Sequence, residues 1–305
     1  MTSRQRHARI GIATSLLQAH DSLEGAPTQR IVTLADIRAF REWAASRATT
    51  ACAVASSHGL RAIDRDIGGV ACTIFRGDEA PQARVVFLHG GGLVAGDRFD
   101  GVDVLARHAT ALALEVWTVE YPLAPEHDFA AMTGAATEVC ASAAEDDLPV
   151  LLAGQSAGGG IAAATALACR EQGIRVDGLM LVCPMLSRLE TASTADFADD
   201  QAWSVRSTAT GWAAAISEAS PSPPGERTDL HAMPPTYLDV GTAEVFRDSV
   251  VAYAQALWEN GCRAELHTWS GAFHASDCVD DEAPPSREAH RAREKWIRRW
   301  LVDDL

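Results

Sequence analysis

Lysine is almost missing from this chain: Lys295 is the only one, and arginine supplies the other basic side chains. That skew reads as coding bias rather than chemistry. Basic charge as a whole is also short, with 26 Lys and Arg against 41 Asp and Glu and a net charge of −15. A surface of that sign repels phosphate backbones, so nucleic acid is excluded as an expected partner. No C-x-x-C pair occurs among Cys52, Cys72, Cys140, Cys169, Cys183, Cys262 and Cys278, which leaves no signature of a zinc ribbon or a dithiol redox motif. Several of these cysteines lie in apolar runs and read as buried free thiols. No apolar run is long enough to cross a membrane. The stretch from Met1 to Gln18 has arginines, but its apolar part is short and broken and no cleavage signature follows. The expectation is a cytoplasmic protein with no stable membrane insertion.

What is present is a large apolar fraction. The chain has 305 residues, 47% of them hydrophobic, enough for one large α/β domain carrying an insertion or cap. Residues 1–57 read as a helical segment. Thr33 followed by Asp36 resembles a capping box, and Leu34, Ile37, Phe40 and Trp43 recur at helical spacing until Gly59 breaks the pattern. Residues 58–186 open with a hairpin signal, Ile63 to Ile67 and Val70 to Phe75 across Gly68-Gly69. Strands and helices then alternate, which predicts a mostly parallel sheet of about eight strands with helices on both faces. The alternation stops over 187–233, a segment holding Phe197, Trp203, Trp212 and the proline-rich 221–225. It resumes over 234–305. An interruption on the side where strands end is where a lid belongs, so 187–233 is expected to be a cap insertion.

The chemistry concentrates at Gly154-Gln155-Ser156-Ala157-Gly158. The apolar run Val150 to Ala153 leads into it, and the small-residue run Gly159 to Leu167 follows. Strand, G-x-S-x-G, helix is the context of a nucleophile elbow, whose tight turn tolerates only small neighbours. His89-Gly90-Gly91-Gly92 directly follows the strand Val85 to Leu88. Acyl transfer through a serine creates a negative oxygen that needs pre-aimed donors, and glycine amides can approach it closely. A loop of this kind together with the amide behind the serine is how lipases and esterases build that pocket.

A general base should follow the serine, with an acid between them. The later histidines are His231, His267, His274 and His290. His231 ends the insertion, His267 lies inside a strand, and His290 falls in the last amphipathic helix, where it is expected to be solvated. His274 follows the strand Ala264 to Trp269 on a loop, where a reachable imidazole belongs. For the acid the candidates are Asp239, Glu244 and Asp248. Asp239 is still in its strand and Asp248 opens a helix, where its charge suits the dipole. Glu244, on the loop between them, is the favoured partner.

These motifs together resemble the hormone-sensitive-lipase family of α/β-hydrolases, the bacterial family IV esterases. His89 to Gly92 is followed by Gly96-Asp97, and Tyr121 to His127 (YPLAPEH) is similar to the family's YRLAPEH with Pro122 in place of arginine. The elbow is similar to GDSAG with Gln155 in place of aspartate, and 241–248 (GTAEVFRD) resembles the acid-bearing segment with Glu244 where aspartate is commoner. The histidine motif corresponds to Gly271 to His274. The resemblance covers about residues 60–300. It implies a cap made of the N-terminal helices and the insertion, and an oxyanion hole from the amides of Gly91, Gly92 and Ala157. The expected activity is hydrolysis of short-acyl or small-molecule esters through Ser156, His274 and Glu244, with no metal or cofactor. Trp203, Trp212 and Phe197 are candidates for the pocket wall. Deacetylation, amide hydrolysis and elimination also occur on this scaffold, as does hormone binding by receptors that have lost the base. Dimers are frequent among such proteins, so a homodimer is a further expectation.

Overall fold

A computed structural model of the chain describes residues 11–305. The start of the expected N-terminal helical segment, residues 1–10, lies outside the described residues. Eight strands form one sheet in the order β1-β2-β4-β3-β5-β6-β7-β8. They are β1 Arg61–Ile67, β2 Val70–Arg76, β3 Ala83–Leu88, β4 Leu114–Val119, β5 Val150–Gln155, β6 Gly178–Val182, β7 Thr236–Gly241 and β8 Ala264–Trp269. β1 and β2 are antiparallel and β2 runs antiparallel to β4; from β4 across to β8 every pair is parallel. The first pair turns through Gly68 and Gly69, both at positive φ (60° and 86°), the backbone that a two-residue hairpin requires.

The central strands β3 to β7 are near-continuous apolar runs because helices cover both faces. Those helices are α4 Asp103–Ala109, α5 Phe129–Ala143, α6 Ala157–Gln172, α9 Arg247–Glu259 and α11 Pro284–Leu301. Before the sheet come α1 Leu17–Asp21, α2 Leu34–Ala45 and α3 Ala51–His58. Thr33 and Asp36 close the capping box of α2, and Gly59 ends α3 in the left-handed conformation (φ 64°). Ile37 and Phe40 bury their side of α2, while Leu34 at its start stays 70% exposed.

Between β6 and β7 lie the short helices α7 Ala192–Asp196 and α8 Val205–Ala215. This segment binds the chain ahead of the sheet. His20 Nε2 lies 3.1 Å from Asp200 Oδ2, Thr28 Oγ1 donates to the Gln201 carbonyl at 2.9 Å, and Ile31 N donates to Ser207 Oγ at 3.2 Å. The same stretch is tied to the loop after β8, where Ala13 N donates to the Gly271 carbonyl at 2.9 Å. The last short helix, α10 Ser276–Val279, follows β8. Among the described residues no helix is long and apolar enough to cross a membrane.

Candidate active site

Strand β5 ends and α6 begins around Ser156, which holds φ 55° and ψ −119°. A positive φ is costly for a residue with a side chain and persists only where the surroundings impose it. Here Ser156 N donates to the Val182 carbonyl (2.9 Å), and the Ser156 carbonyl accepts from Met185 N (2.8 Å). A Cβ on Gly154 would stand 2.2 Å from the Gly158 carbonyl oxygen, and one on Gly158 would stand 2.1 Å from that of Leu88. The elbow's flanking glycines are therefore forced by close backbone approach.

His274 comes from the loop after β8. Its Nε2 lies 2.9 Å from Ser156 Oγ, and its Nδ1 lies 2.6 Å from Glu244 Oε2. Because a carboxylate oxygen only accepts, Nδ1 is the donor to Glu244, and in a neutral imidazole Nε2 would face the serine hydroxyl as acceptor. Glu244 is 1% exposed, and its other oxygen accepts from Gly241 N at 2.8 Å. The loops bearing acid and base are pinned together: Ala243 N donates to the Ala272 carbonyl (3.0 Å) and Gly271 N to Thr242 Oγ1 (2.8 Å). The imidazole packs edge-on against Phe246, ring centres 5.0 Å apart.

The glycine loop after β3 lies beside the serine, where a Cβ on Gly90 would be 3.4 Å from that of Ser156. Gly91 has φ 114°, and a side chain there would collide with the Ala95 carbonyl (1.9 Å). The amides of Gly91, Gly92 and Ala157 donate to no described residue. His89 is sealed beneath the loop. Its Nδ1 is 2.6 Å from the Gly90 carbonyl, its ring stacks on Tyr121 at 4.2 Å, and burial pushes its pKa down. Tyr121 Oη donates to the His89 carbonyl at 2.7 Å.

Of the three aromatic candidates, Trp203 is brought to this group. A Cβ on Gly92 would stand 2.3 Å from its indole, and its ring lies 6.4 Å from that of His274. Its Nε1 is fixed on Thr208 Oγ1 at 2.9 Å. Trp212 instead packs against Phe129 (5.1 Å), and Phe197 lies under the Arg247 guanidinium (5.8 Å).

The remaining candidates are placed elsewhere. Asp239 pairs with Arg293 (2.7 Å), and Asp248 accepts from Ser193 N (2.7 Å). His267 pairs with Glu265 (2.8 Å), and His231 is exposed. The expectation of a solvated His290 is corrected: it is only 6% exposed, because Ser286, Ala289, Arg293, Trp296, Ile297 and Trp300 put its side of α11 against the core. Gln155 points away from the serine, donating from Nε2 to Cys278 Sγ at 3.0 Å, with its Oε1 against Gly101. The replacement beside the nucleophile is thus accommodated outside the reacting atoms.

Arg41, on α2, carries no signature in the sequence. Its Nε donates to the Val94 carbonyl (2.6 Å) and its Nη2 to the Ala124 carbonyl (2.7 Å), while both terminal nitrogens bind Glu126 (2.8 and 2.7 Å). An isolated arginine beside Phe40 gave no motif by which to find it.

A mostly parallel eight-stranded sheet with a serine at the β5–α6 turn and a histidine after the last strand defines a hydrolase of the α/β class. The family model described as the alpha/beta hydrolase fold matches residues 85–277. The chain belongs to that family, within the esterase and lipase group that includes hormone-sensitive lipase. It is 29% identical over 231 residues to esterase LipI of Mycobacterium tuberculosis, covering 70% of this chain and 71% of that protein. Mouse hormone-sensitive lipase is 33% identical over 128 residues, covering 39% of this chain and 17% of the lipase. The crystal structure of esterase LipW from Mycobacterium marinum superposes with a TM-score of 0.83 at 26% identity, covering 97% of this chain and 96% of that one.

Proposed function

We propose that this chain is a serine carboxylic-ester hydrolase for short-acyl or small-molecule esters, working through an acyl-enzyme. The observation that carries the reading is the unbroken line Ser156 Oγ, His274 Nε2, His274 Nδ1, Glu244 Oε2, with steps of 2.9 and 2.6 Å across it. Nucleophile, base and the group that orients the base stand within hydrogen-bond reach, which is the geometry acyl transfer needs.

In this mechanism His274 Nε2 takes the hydroxyl proton as Ser156 Oγ bonds to the ester carbonyl carbon. The resulting oxyanion accepts from the amides of Gly91, Gly92 and Ala157, donors that have no other described acceptor. Glu244 stabilises the imidazolium. Collapse breaks the C–O bond to the alcohol, which leaves with the proton from Nε2. Water then enters, gives its proton to His274 and attacks the acyl carbon; collapse breaks the C–Oγ bond, releasing the carboxylic acid while Ser156 Oγ takes the proton back from Nε2.

The segments ahead of the sheet and between β6 and β7 act as a joint cap in this reading, supported by the hydrogen bonds between them. Trp203 is their contribution to the pocket. Held by Thr208 over Gly92 and near His274, its indole is the wall against which an acyl chain would stop in this reading. Ser156 and His274 are each 6% exposed, consistent with a narrow covered site.

The test is a p-nitrophenyl ester series from acetate to dodecanoate. Turnover is expected to peak at the short esters and fall steeply between butyrate and octanoate, and Trp203→Ala should move the fall to longer chains. Undiminished turnover of the dodecanoate, or loss of no activity in Ser156→Ala, would contradict the reading.

A further inference from the structure

The glycine loop that would hold the oxyanion is fastened mainly from outside. Tyr121 Oη reaches its first carbonyl, that of His89, and Ala124 N donates to the Leu93 carbonyl at 2.9 Å. At its far turn Val94 N and Ala95 N fold back onto the Gly91 carbonyl, at 3.2 and 3.0 Å. The carbonyl of Val94 points outward, and Arg41 Nε takes it at 2.6 Å. The same guanidinium takes the Ala124 carbonyl, so one planar fork joins the glycine loop to the loop that begins at Tyr121. Glu126 grips the fork from the other side and holds the Arg41 pKa above its ordinary value. Leu93, Val94 and Ala95 are wholly buried, whereas the Arg41 side chain is one-third exposed and borders an open cleft of about 760 Å³. The clamp is therefore applied from the surface to a loop that reaches the serine.

Resting on the mechanism proposed above, we infer that Arg41 is a positioning residue for the oxyanion-binding loop: by joining the Val94 and Ala124 carbonyls it fixes Gly91 and Gly92 relative to Ser156. Arginine suits the task because a rigid fork can serve two carbonyls and a carboxylate at once, which a lysine ammonium cannot do with the same geometry. Small displacements of oxyanion donors weaken transition-state stabilisation while leaving ground-state binding nearly intact.

The experiment compares the parent chain, Ser156→Ala, Arg41→Met, Arg41→Lys and Glu126→Gln on p-nitrophenyl butyrate and its thiono analogue, with melting curves for each. Sulfur accepts hydrogen bonds poorly, so the ester-to-thionoester ratio reports the oxyanion donors. Arg41→Met is expected to lower kcat roughly ten- to hundredfold with KM within about twofold, and to shrink that ratio. Arg41→Lys should not restore it, and Glu126→Gln, which spares both carbonyl bonds, should stay within about threefold of the parent. An unchanged ratio with kcat falling only in proportion to the folded fraction would overturn the positioning role and leave Arg41 a structural anchor. If the parent is active and Ser156→Ala is not, the ester-hydrolase reading stands whatever Arg41 does. A parent with no esterase activity would sink both.

Discussion

His274 and His290 are equally hidden, each 6% exposed, yet the regions around them have opposite electrostatic character. His274 stands between a hydroxyl and a carboxylate, with Glu244 Oε2 2.6 Å from its Nδ1. His290 stands beside a guanidinium, its Nδ1 3.4 Å from Arg293 Nη1 and its Nε2 without a partner among the described residues. Burial and the Arg293 charge push the His290 pKa down to about 3. The neighbouring acids are turned to Arg293, with Asp239 Oδ2 at 2.7 Å and Asp277 Oδ2 at 2.5 Å. Burial alone would raise the Asp277 pKa, but Arg293 outweighs it and holds the carboxyl below its usual range. Concealment therefore does not separate the imidazole proposed as the base from a structural one; the sign of the nearest charge does.

The contrast is broken most directly by exchanging each histidine for glutamine. His274→Gln should lower kcat/KM for p-nitrophenyl butyrate by about 10³-fold or more, as should Ser156→Ala, with the double variant no worse than either. His290→Gln should remain within about threefold of the parent. Glu244→Gln, which removes the negative side of the comparison, is expected to cost about 10²–10⁴ in kcat. Glu244→Asp, one methylene shorter, should cost about tenfold, both measured by steady-state kinetics.

Arg293→Met attacks the other region. It leaves Asp239 and Asp277 buried without their cation, a loss of about 3–5 kcal/mol, so the melting temperature should fall by roughly 10 °C. The smallest effect is on pH dependence. His108, packed near Glu294 and between Arg107, Arg293 and Arg298, is also lowered, to about 4, chiefly by burial. With His108 and His290 depressed, the unfolded chain binds more protons than the folded one below an ordinary imidazole pKa of about 6.5. Above that pH both are neutral in either state and carry no penalty; the penalty grows as pH falls toward about 4 for His108 and about 3 for His290. Urea unfolding of the double His108→Gln, His290→Gln variant should therefore show a shallower loss of stability between these limits than the parent.

The sheet, the elbow and the line from Ser156 to Glu244 were legible in the sequence because each lies at a strand end, where chain order and glycine spacing restrict the choices. Glu244 could be separated from Asp239 and Asp248 by register alone: one was still in β7 and the other already opened α9. His290 was misread for a physical reason. Polar residues in an amphipathic helix are taken as solvated, yet its position three before Arg293 and seven before Ile297 puts it on the face that carries Trp296 and Trp300. That face accepts an arginine because two aspartates from other elements meet it, and such pairing is invisible until the chain is folded. Arg41 was illegible on the same ground, since its partners come from two loops distant in sequence. Trp203 was one of three aromatic candidates in the insertion. Only the packing of Gly92 singled it out.

Ser156, activated by His274, is the nucleophile proposed above, and labelling the intact chain with a fluorophosphonate, with the adduct mapped by peptide mass spectrometry, decides whether it reacts. The expected result is one adduct per chain on Ser156, loss of esterase activity in step with labelling, and labelling slowed by orders of magnitude in His274→Gln. An adduct on another residue, or full ester hydrolysis by the labelled protein, would contradict it.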